Sequence, residues 1–484
     1  MKKYDIDKYQ VNNSSRRDFV KKAGTAVAGL FVAPYLMPSG VFAYQHKKDS
    51  SYLATVAITN TTNTPADSYI YDDPSGGVIQ KVQYLFEQLG GISDLFSNGK
   101  KVVIKINLTG GSGNAFNPKL NGVPVTEAVW SHPSVVRAVT QTIIDAGVSA
   151  SEIIIVESLG SGDSFNNDVF QGYVDITNDL GCQLVDISQG TFVDVSTGSN
   201  YFNFPTLTMN QIVMDTDVYV SIGKLKQHAE AGITCSIKNQ VGSVPQSSYT
   251  TPAITYRRQA IHSPTNGSSA TFLPRSICDL FAARPVHLGI ADGIKNATGG
   301  EGVWNPNFAP YESHVLFAGK DPVANDAIAA YLMGLDPEAQ KLQLPGDNSY
   351  GDFECDNYLD LLHNKGIGTN QLNEIEVVGD GKNLITSVQQ HVNTQTPESF
   401  KLCANYPNPF NPSTMIVLYL PKNDYIKLKV YDITGREIET LMDGEVPSGE
   451  HRLQWSAEGL ASGVYLCRME TIGFSETIKM IYQK

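Results

Sequence analysis

Asp217-Val-Tyr-Val-Ser-Ile-Gly-Lys-Leu-Lys-Gln-His228 runs on, three residues later, into Gly232-Ile-Thr-Cys-Ser-Ile-Lys-Asn-Gln-Val-Gly242. Val218, Val220 and Ile222 alternate as one face of a strand. The same parity continues through Lys224, Lys226 and His228, so an apolar face turns basic at its carboxyl end. In an open α/β sheet ligands sit at that end, because side chains there are held by rigid strands without being buried by them. Ile233 to Val241 reads as a short helix with Thr234 and Lys238 on one face.

Outward from this stretch, apolar runs alternate with segments of helical spacing. Strands are expected at Leu53–Ile58, Lys101–Leu108, Glu152–Glu157, Cys182–Ile187, Val286–Gly293 and His314–Asp321. Helices are expected at Val78–Phe96, Val135–Ala146, Asn167–Leu180, Ser276–Ala283 and Pro322–Gly334. The alternation predicts an α/β fold, a largely parallel or mixed sheet flanked by helices. If the runs are mainly parallel their carboxyl ends share one edge. Lys105, Asn107, Glu157, Lys224, Lys226, His228, Asp292 and Asp321 would then gather in a single crevice.

Local chemistry sharpens several positions. Lys105 stands between isoleucines, which is costly in a buried strand unless the ammonium is paired or opens onto a polar cleft, and Asn107 shares its face. Thr109-Gly-Gly-Ser-Gly113 could offer backbone N–H groups to an anion, but it fits neither the dinucleotide nor the Walker pattern and reads as a mobile linker. Ser131 is the expected cap of a helix with Pro133 in its first turn, and His132 is either a ligand or a polar residue at the helix start. Asp321 suits an N-cap before Pro322, and Asp326 lies early in the same helix, where a carboxylate favours the dipole.

A chain of 484 residues predicts two or three domains, and 41% hydrophobic with 18% charged residues describes an ordered one. Seven Lys/Arg and three Asp in residues 1–43 leave −17 for the rest of a chain whose net charge is −13. Such an acidic body lacks the cationic footprint that nucleic acid or an anionic membrane requires. The six cysteines are scattered without a CxxC or Cys/His comb, so no zinc or iron–sulfur site is encoded. Cys403 and Cys467 fall in one C-terminal module and either bridge or pack separately.

Three resemblances follow from longer motifs. Gly223-Lys-Leu-Lys-Gln-His with Gly232-Ile-Thr-Cys-Ser-Ile-Lys-Asn, then Ile290-Ala-Asp-Gly-Ile with Gly300-Glu-Gly, Ala318-Gly-Lys-Asp-Pro-Val-Ala-Asn-Asp-Ala and Leu332-Met-Gly-Leu-Asp, resembles the domain of unknown function 362 family. That family often carries ferredoxin-like cysteines, which this chain does not. Ser15-Arg-Arg-Asp-Phe-Val-Lys21, with the apolar run behind it and Val41-Phe-Ala43, resembles a twin-arginine export signal. Short alternating segments from Met415 to Tyr482, with Asp432-Ile-Thr-Gly-Arg436 and Ser462-Gly-Val-Tyr465, predict an immunoglobulin-like antiparallel β-sandwich and resemble the type A sorting domain of the type IX secretion system.

The expected organisation is a signal at 1–43, an α/β domain at 44–377, a linker at 378–400 and the sorting sandwich at 401–484. The resemblances imply partners in the twin-arginine translocase and the type IX machinery. They also imply a route through the periplasm to the outer-membrane surface or beyond.

The crevice itself predicts an enzyme for a small anionic substrate. Lys226, His228 and Lys105 are its candidate catalytic groups, and Lys224, Lys238, Asn107 and Asn239 its candidate binding groups. Asp292 and Glu301 are candidate oxygen ligands for a divalent cation. Capture of an anion without turnover, or a redox or cofactor-carrying role, are the alternatives.

Overall fold

The computed structural model describes residues 53–61, 77–116, 119–160, 162–250, 258–263, 270–305, 307–344, 353–385, 399–403 and most of 405–483. The expected export signal, and the larger part of the expected linker at 378–400, lie outside these residues.

The amino-terminal strands are β1 (Ala54–Asn60), β2 (Val102–Lys105), β3 (Ile153–Glu157) and β4 (Gln183–Asp186), followed by a hairpin of β5 (Phe192–Ser196) and β6 (Thr206–Asn210). The remaining strands of this part are β7 (Val218–His228), β8 (Gly232–Thr234), β9 (Leu288–Thr298), β10 (Ala309–Gly319), the hairpin β11 (Lys341–Leu344) and β12 (Phe353–Asp356), and β13 (Ile375–Val378). One nine-stranded sheet runs in the order β13-β1-β10-β9-β7-β2-β3-β4, with β8 added to the end of β7. Along that order only β10 runs against its neighbours.

Helices cover both faces, as a sheet buried on two sides requires. On one side lie α1 (Val78–Gln88), α2 (Val125–Val129), α3 (Pro133–Asp145) and α4 (Gln171–Leu180). On the other lie α5 (Phe272–Ala283), α6 (Pro322–Leu332) and α7 (Tyr358–Asn364). Strand alternation splits the core accordingly. Val102, Ile104, Val220, Ile222 and Leu288 enter the first layer, while Val103, Tyr219, Ala291 and Phe317 enter the second.

Several expectations change. The stretch after β7 is not a helix over Ile233–Val241: Gly232–Thr234 turns back as β8, pairing Thr234 with Lys226, and a 3-10 turn covers Lys238–Ser243. Backbone pairing to a central strand outweighs the helical spacing of the pattern, so Thr234 and Lys238 do not share a helix face. Thr109–Gly113 is not a loose linker, since Gly111–Phe116 is a 3-10 turn and Ser112 N–H donates to Asp163 Oδ2 at 3.1 Å. The cap of α3 is His132, not Ser131; its Nδ1 accepts from Ser134 N–H at 3.2 Å. Asp321 does cap α6, accepting from Val323 and Ala324 N–H. Because β10 is antiparallel, however, its carboxyl end pairs Gly319 with Gly289 near the amino end of β9. Asp321 therefore lies at the opposite edge of the sheet from the other charged strand ends.

Gly223 marks where β7 and the returning chain touch. A Cβ there would stand 2.4 Å from the carbonyl carbon of Cys235 and 2.6 Å from its oxygen. These are backbone atoms that no rotamer change can clear. Gly223→Ala is expected to lose about 1–3 kcal/mol through overpacking, read as a lower urea midpoint. An unchanged midpoint would refute the close approach.

Residues 399–483 build the C-terminal architecture. Lys401–Leu402, Ser413–Leu420 and Gly449–Ser456 form one antiparallel sheet, and Asp424–Asp432, Glu437–Val446, Gly463–Glu470 and Ser475–Tyr482 form another of four strands. Ile416 and Leu418 from the first sheet share one core with Leu428, Val430 and Met469 from the second. Cys403 and Cys467 are both buried in this module, and no disulfide joins them. Among the described residues no helix is long and apolar enough to cross a membrane.

Candidate functional site

The carboxyl edge formed by β2, β3, β7 and β9 holds the charges that the sequence pattern placed there, but they are buried: Lys105 is 1% exposed, Lys224 1%, Lys226 0% and His228 3%. Burying four such groups is tolerable only where each finds compensation, and the compensation differs from one to the next.

Lys105 Nζ donates to Glu157 Oε1 at 2.6 Å and to the Ile106 carbonyl at 2.6 Å. Glu157 Oε2 also takes the Leu108 N–H at 2.7 Å. On the neighbouring strands Lys224 Nζ stands 3.1 Å from Asp292 Oδ1, while His132 N–H donates to Asp292 Oδ2 at 2.7 Å. Burial lowers the pKa of both lysines, and their carboxylate partners oppose that shift.

The two pairs leave the sheet on different faces, Lys105 with the parity of Val103 and Lys224 with that of Ile222. A chain of hydrogen bonds joins them around the edge. Asn239 Oδ1 accepts from Lys105 Nζ at 3.4 Å and from Asn107 Nδ2 at 3.2 Å, as the shared parity of Lys105 and Asn107 predicted. Asn107 N–H donates to Ser131 Oγ, which donates to the Ile222 carbonyl at 2.7 Å, and the next residue, His132, reaches Asp292. Asn239 Nδ2 further donates to the Lys105 carbonyl and to Ser221 Oγ, each at 3.1 Å.

Lys226 and Lys238 differ from these. Lys226 Nζ reaches two carbonyls, Val129 O at 3.0 Å and Glu301 O at 3.3 Å. Among the described residues neither lysine has a carboxylate within 4.0 Å. Burial, then the charge of Lys238, pushes Lys226 well below the usual lysine range. Lys238 is only half-buried; burial still pulls it down to about 8, against the pull of Glu301 and Glu230.

His228 Nδ1 accepts from Glu230 N–H at 3.0 Å, which in the neutral ring leaves the proton on Nε2. Burial and Lys238 drive its pKa well down, so the neutral ring is the resting form. Burial works to raise the Glu301 pKa, but His228, the Trp304 indole N–H at 2.9 Å, Lys238 and the Ala229 N–H at 3.2 Å outweigh it and hold the carboxyl below its ordinary range. With His228 neutral, the two N–H donors and Lys238 still act in that direction.

Two residues that support the cluster were not read from the pattern as parts of the site. Arg258 donates from Nε to the Val244 carbonyl at 2.6 Å and from its guanidinium to Ser158 Oγ. Asp326 is fully buried and accepts from Ser236 N–H at 3.0 Å, Ile237 N–H at 2.9 Å, Tyr358 OH at 3.1 Å and Ser236 Oγ. It anchors the chain immediately before Lys238 and Asn239. The available signal was a carboxylate inside the largely apolar helix Pro322–Leu332, where dipole stabilisation alone does not account for burial. A cleft of about 680 Å³ lined by Ser134, Arg137, Asp168, Asp175 and Asp179 lies along α3 and α4 and shares no residue with this cluster. Among the described residues no group of three or more His, Cys, Asp or Glu is placed to hold a metal ion.

The motifs that supply this edge, from β2 through α6, fall inside a single family match: residues 102–331 fit the model of a domain of unknown function, DUF362. This region is a DUF362 domain. Residues 404–483 match the secretion system C-terminal sorting domain, so the sandwich is a type IX address that marks the chain for the cell surface or the medium. A thylakoid-associated protein of Synechocystis is 27% identical over 263 residues, which cover 54% of this chain and 72% of that one. Among solved structures, PorZ, a surface component of the type IX secretion system of Porphyromonas gingivalis, aligns at 22% identity over 18% of this chain and 12% of its own, with a TM-score of 0.13. Dimeric latent PorU from the same organism aligns at 15% identity over 19% of this chain and 10% of its own, with a TM-score of 0.15. The chain thus spans a small fraction of either structure. Within the DUF362 domain the edge cluster draws on Lys105, Glu157, Lys224, Lys226, Asn239 and Asp292, brought together from four strands and one turn.

Proposed function

We propose that this protein is an exported enzyme of the cell surface or medium that acts on a small anionic substrate at the carboxyl edge of its DUF362 domain. The observation that carries the reading is the contrast between four lysines: Lys105 and Lys224 are matched by Glu157 and Asp292, whereas Lys226 and Lys238 have no carboxylate within reach among the described residues. A carboxylate or phosphate group of the substrate supplies the missing charge. Half-buried Lys238 meets it first, and Lys226 is the inner cation. Asn107 and Asn239 orient it, His228 exchanges a proton through Nε2, and Lys105 holds Glu157 in place. The proposed export route runs from a twin-arginine translocase through the periplasm to the type IX machinery.

Asp292 and Glu301 are weaker as cation ligands than as parts of this frame. Each carboxylate oxygen already takes a protein donor, Lys224 and His132 N–H on Asp292, Trp304 and Ala229 N–H on Glu301. A divalent cation would have to displace them. The depth of Lys226 and His228 favours a second reading, capture of the anion without turnover, and retention of an unchanged ligand through purification would decide for it.

Titration calorimetry with malonate, a dicarboxylate fully ionised above neutrality, tests the anion site. Lys238→Ala is expected to weaken binding about tenfold or more, the loss of one charged hydrogen bond. Because the pKa of Lys238 is lowered to about 8, its ammonium is present below that pH and lost above it. Wild-type affinity should fall as pH rises through about 8, toward that of Lys238→Ala, and the fall across that pH should be smaller in the variant. Equal binding by both proteins would remove the anion site. Binding without turnover of any carboxylate or phosphate ester would remove catalysis and leave capture.

A further inference from the structure

Trp304 is 49% exposed, while the other two tryptophans, Trp130 and Trp455, are buried. It belongs to the loop after β9 that also supplies Glu301, and it is fixed there. Its Nε1–H donates to Glu301 Oε1 at 2.9 Å. Its six-membered ring lies against the backbone of Gly302, where a Cβ would meet the ring at 2.4 Å. The turn beneath it is also tied down: Gly299 N–H donates to Gln227 Oε1 at 2.8 Å, and Asn305 N–H to the Gly302 carbonyl at 3.0 Å.

An aromatic ring held in one place and left half in water, on a loop whose residue 301 touches Lys226 through its carbonyl, has the form of a stacking floor beside a charge site. The indole's one polar hydrogen is already spent on Glu301, so the open surface offers only a π face and an apolar edge. The open face therefore offers a ligand no hydrogen-bond donor. A cationic headgroup is disfavoured by Lys226 and Lys238 nearby.

We propose that Trp304 stacks on a ring carried by the same anion that Lys238 and Lys226 neutralise, so that the ligand class is a carboxylate or phosphate attached to an aromatic or heteroaromatic ring. This rests on the anion site described under the proposed function. It adds specificity for what the charge is attached to.

The test compares phenyl phosphate with methyl phosphate, which carry the same charged group, by calorimetry on the full chain and its Trp304→Ala, Trp304→Phe and Lys238→Ala variants. Wild type should bind phenyl phosphate about threefold to tenfold more tightly, the worth of one stacked pair. Trp304→Ala should erase that preference, Trp304→Phe, which loses the same indole donor to Glu301 but keeps a ring, should retain part of it, and Lys238→Ala should weaken both ligands while keeping their ratio. With the other two indoles buried, a change in tryptophan emission on binding phenyl phosphate that is missing in Trp304→Phe provides an independent readout. A preference absent in wild type, or surviving in Trp304→Ala, overturns the stacking assignment while the anion site stands. Failure of wild type to bind either ester overturns the anion site, and the stacking assignment falls with it.

Discussion

Asp292→Ala is expected to cost about 3–5 kcal/mol, because it leaves the Lys224 ammonium in the core without the carboxylate that compensates its burial. The same substitution strips His132 N–H of its acceptor, which adds an unsatisfied donor at the start of α3. Urea unfolding followed by far-ultraviolet circular dichroism reads the loss. Replacing both partners with apolar residues of similar volume, Lys224→Met with Asp292→Leu, should recover most of it, since a removed pair is far less costly than a broken one. A single variant as stable as wild type would mean that water reaches the pair. A double variant that folds and still binds malonate with wild-type affinity would assign Lys224 to the frame of the site and not to its ligand.

The second large effect is expected at Asp326, which lies outside the charged edge and holds it in place. Its carboxylate collects two backbone N–H groups and two hydroxyls in a region with no exposure to solvent. Burial pushes its pKa up, and the donors from Ser236 and Ile237 pull it back. Asp326→Ala leaves those donors unmatched at about 1–3 kcal/mol apiece, so a loss of about 3–5 kcal/mol is expected after relaxation. The freed segment is the one that carries Lys238 and Asn239. Slow amide hydrogen exchange at Ser236 and Ile237 in wild type should become fast in the variant, while protection in the C-terminal sandwich stays as it was. Unchanged exchange at those two amides would show that the segment is held by other contacts.

Why some of this was readable without coordinates follows from periodicity. A repeat of two fixes which residues share a strand face, so the alliance of Lys105 with Asn107 and the basic end of β7 could be written from the order of residues alone. The main strands of the sandwich fall along the stretch read as short alternating segments up to Tyr482 for the same reason, since turn residues and alternation are local properties. Asp321 as a cap is equally local, because Asp followed by Pro is suited to the first turn of a helix.

What periodicity cannot carry is the direction and level of one strand relative to another. Nothing within Ala309–Gly319 says that it runs against β9, yet that reversal alone moves Asp321 to the far edge. The short return of Gly232–Thr234 as β8 is decided by an open pairing position on β7, and Ile233 and Thr234 suit a strand as well as the expected helix.

The amino-acid sequence by itself determined an α/β sheet with helices on both sides, a sandwich that carries a secretion address, and a row of lysines at strand ends. These depend on patterns a few residues long. Only the tertiary structure decided which lysines meet a carboxylate and which do not, that Lys105 and Lys224 leave opposite faces and are joined through Asn239, Asn107 and Ser131, and that Asp326 secures the turn between them. Those facts depend on register and packing between segments far apart in the chain, where a shift of one residue would turn each side chain to the other face of the sheet.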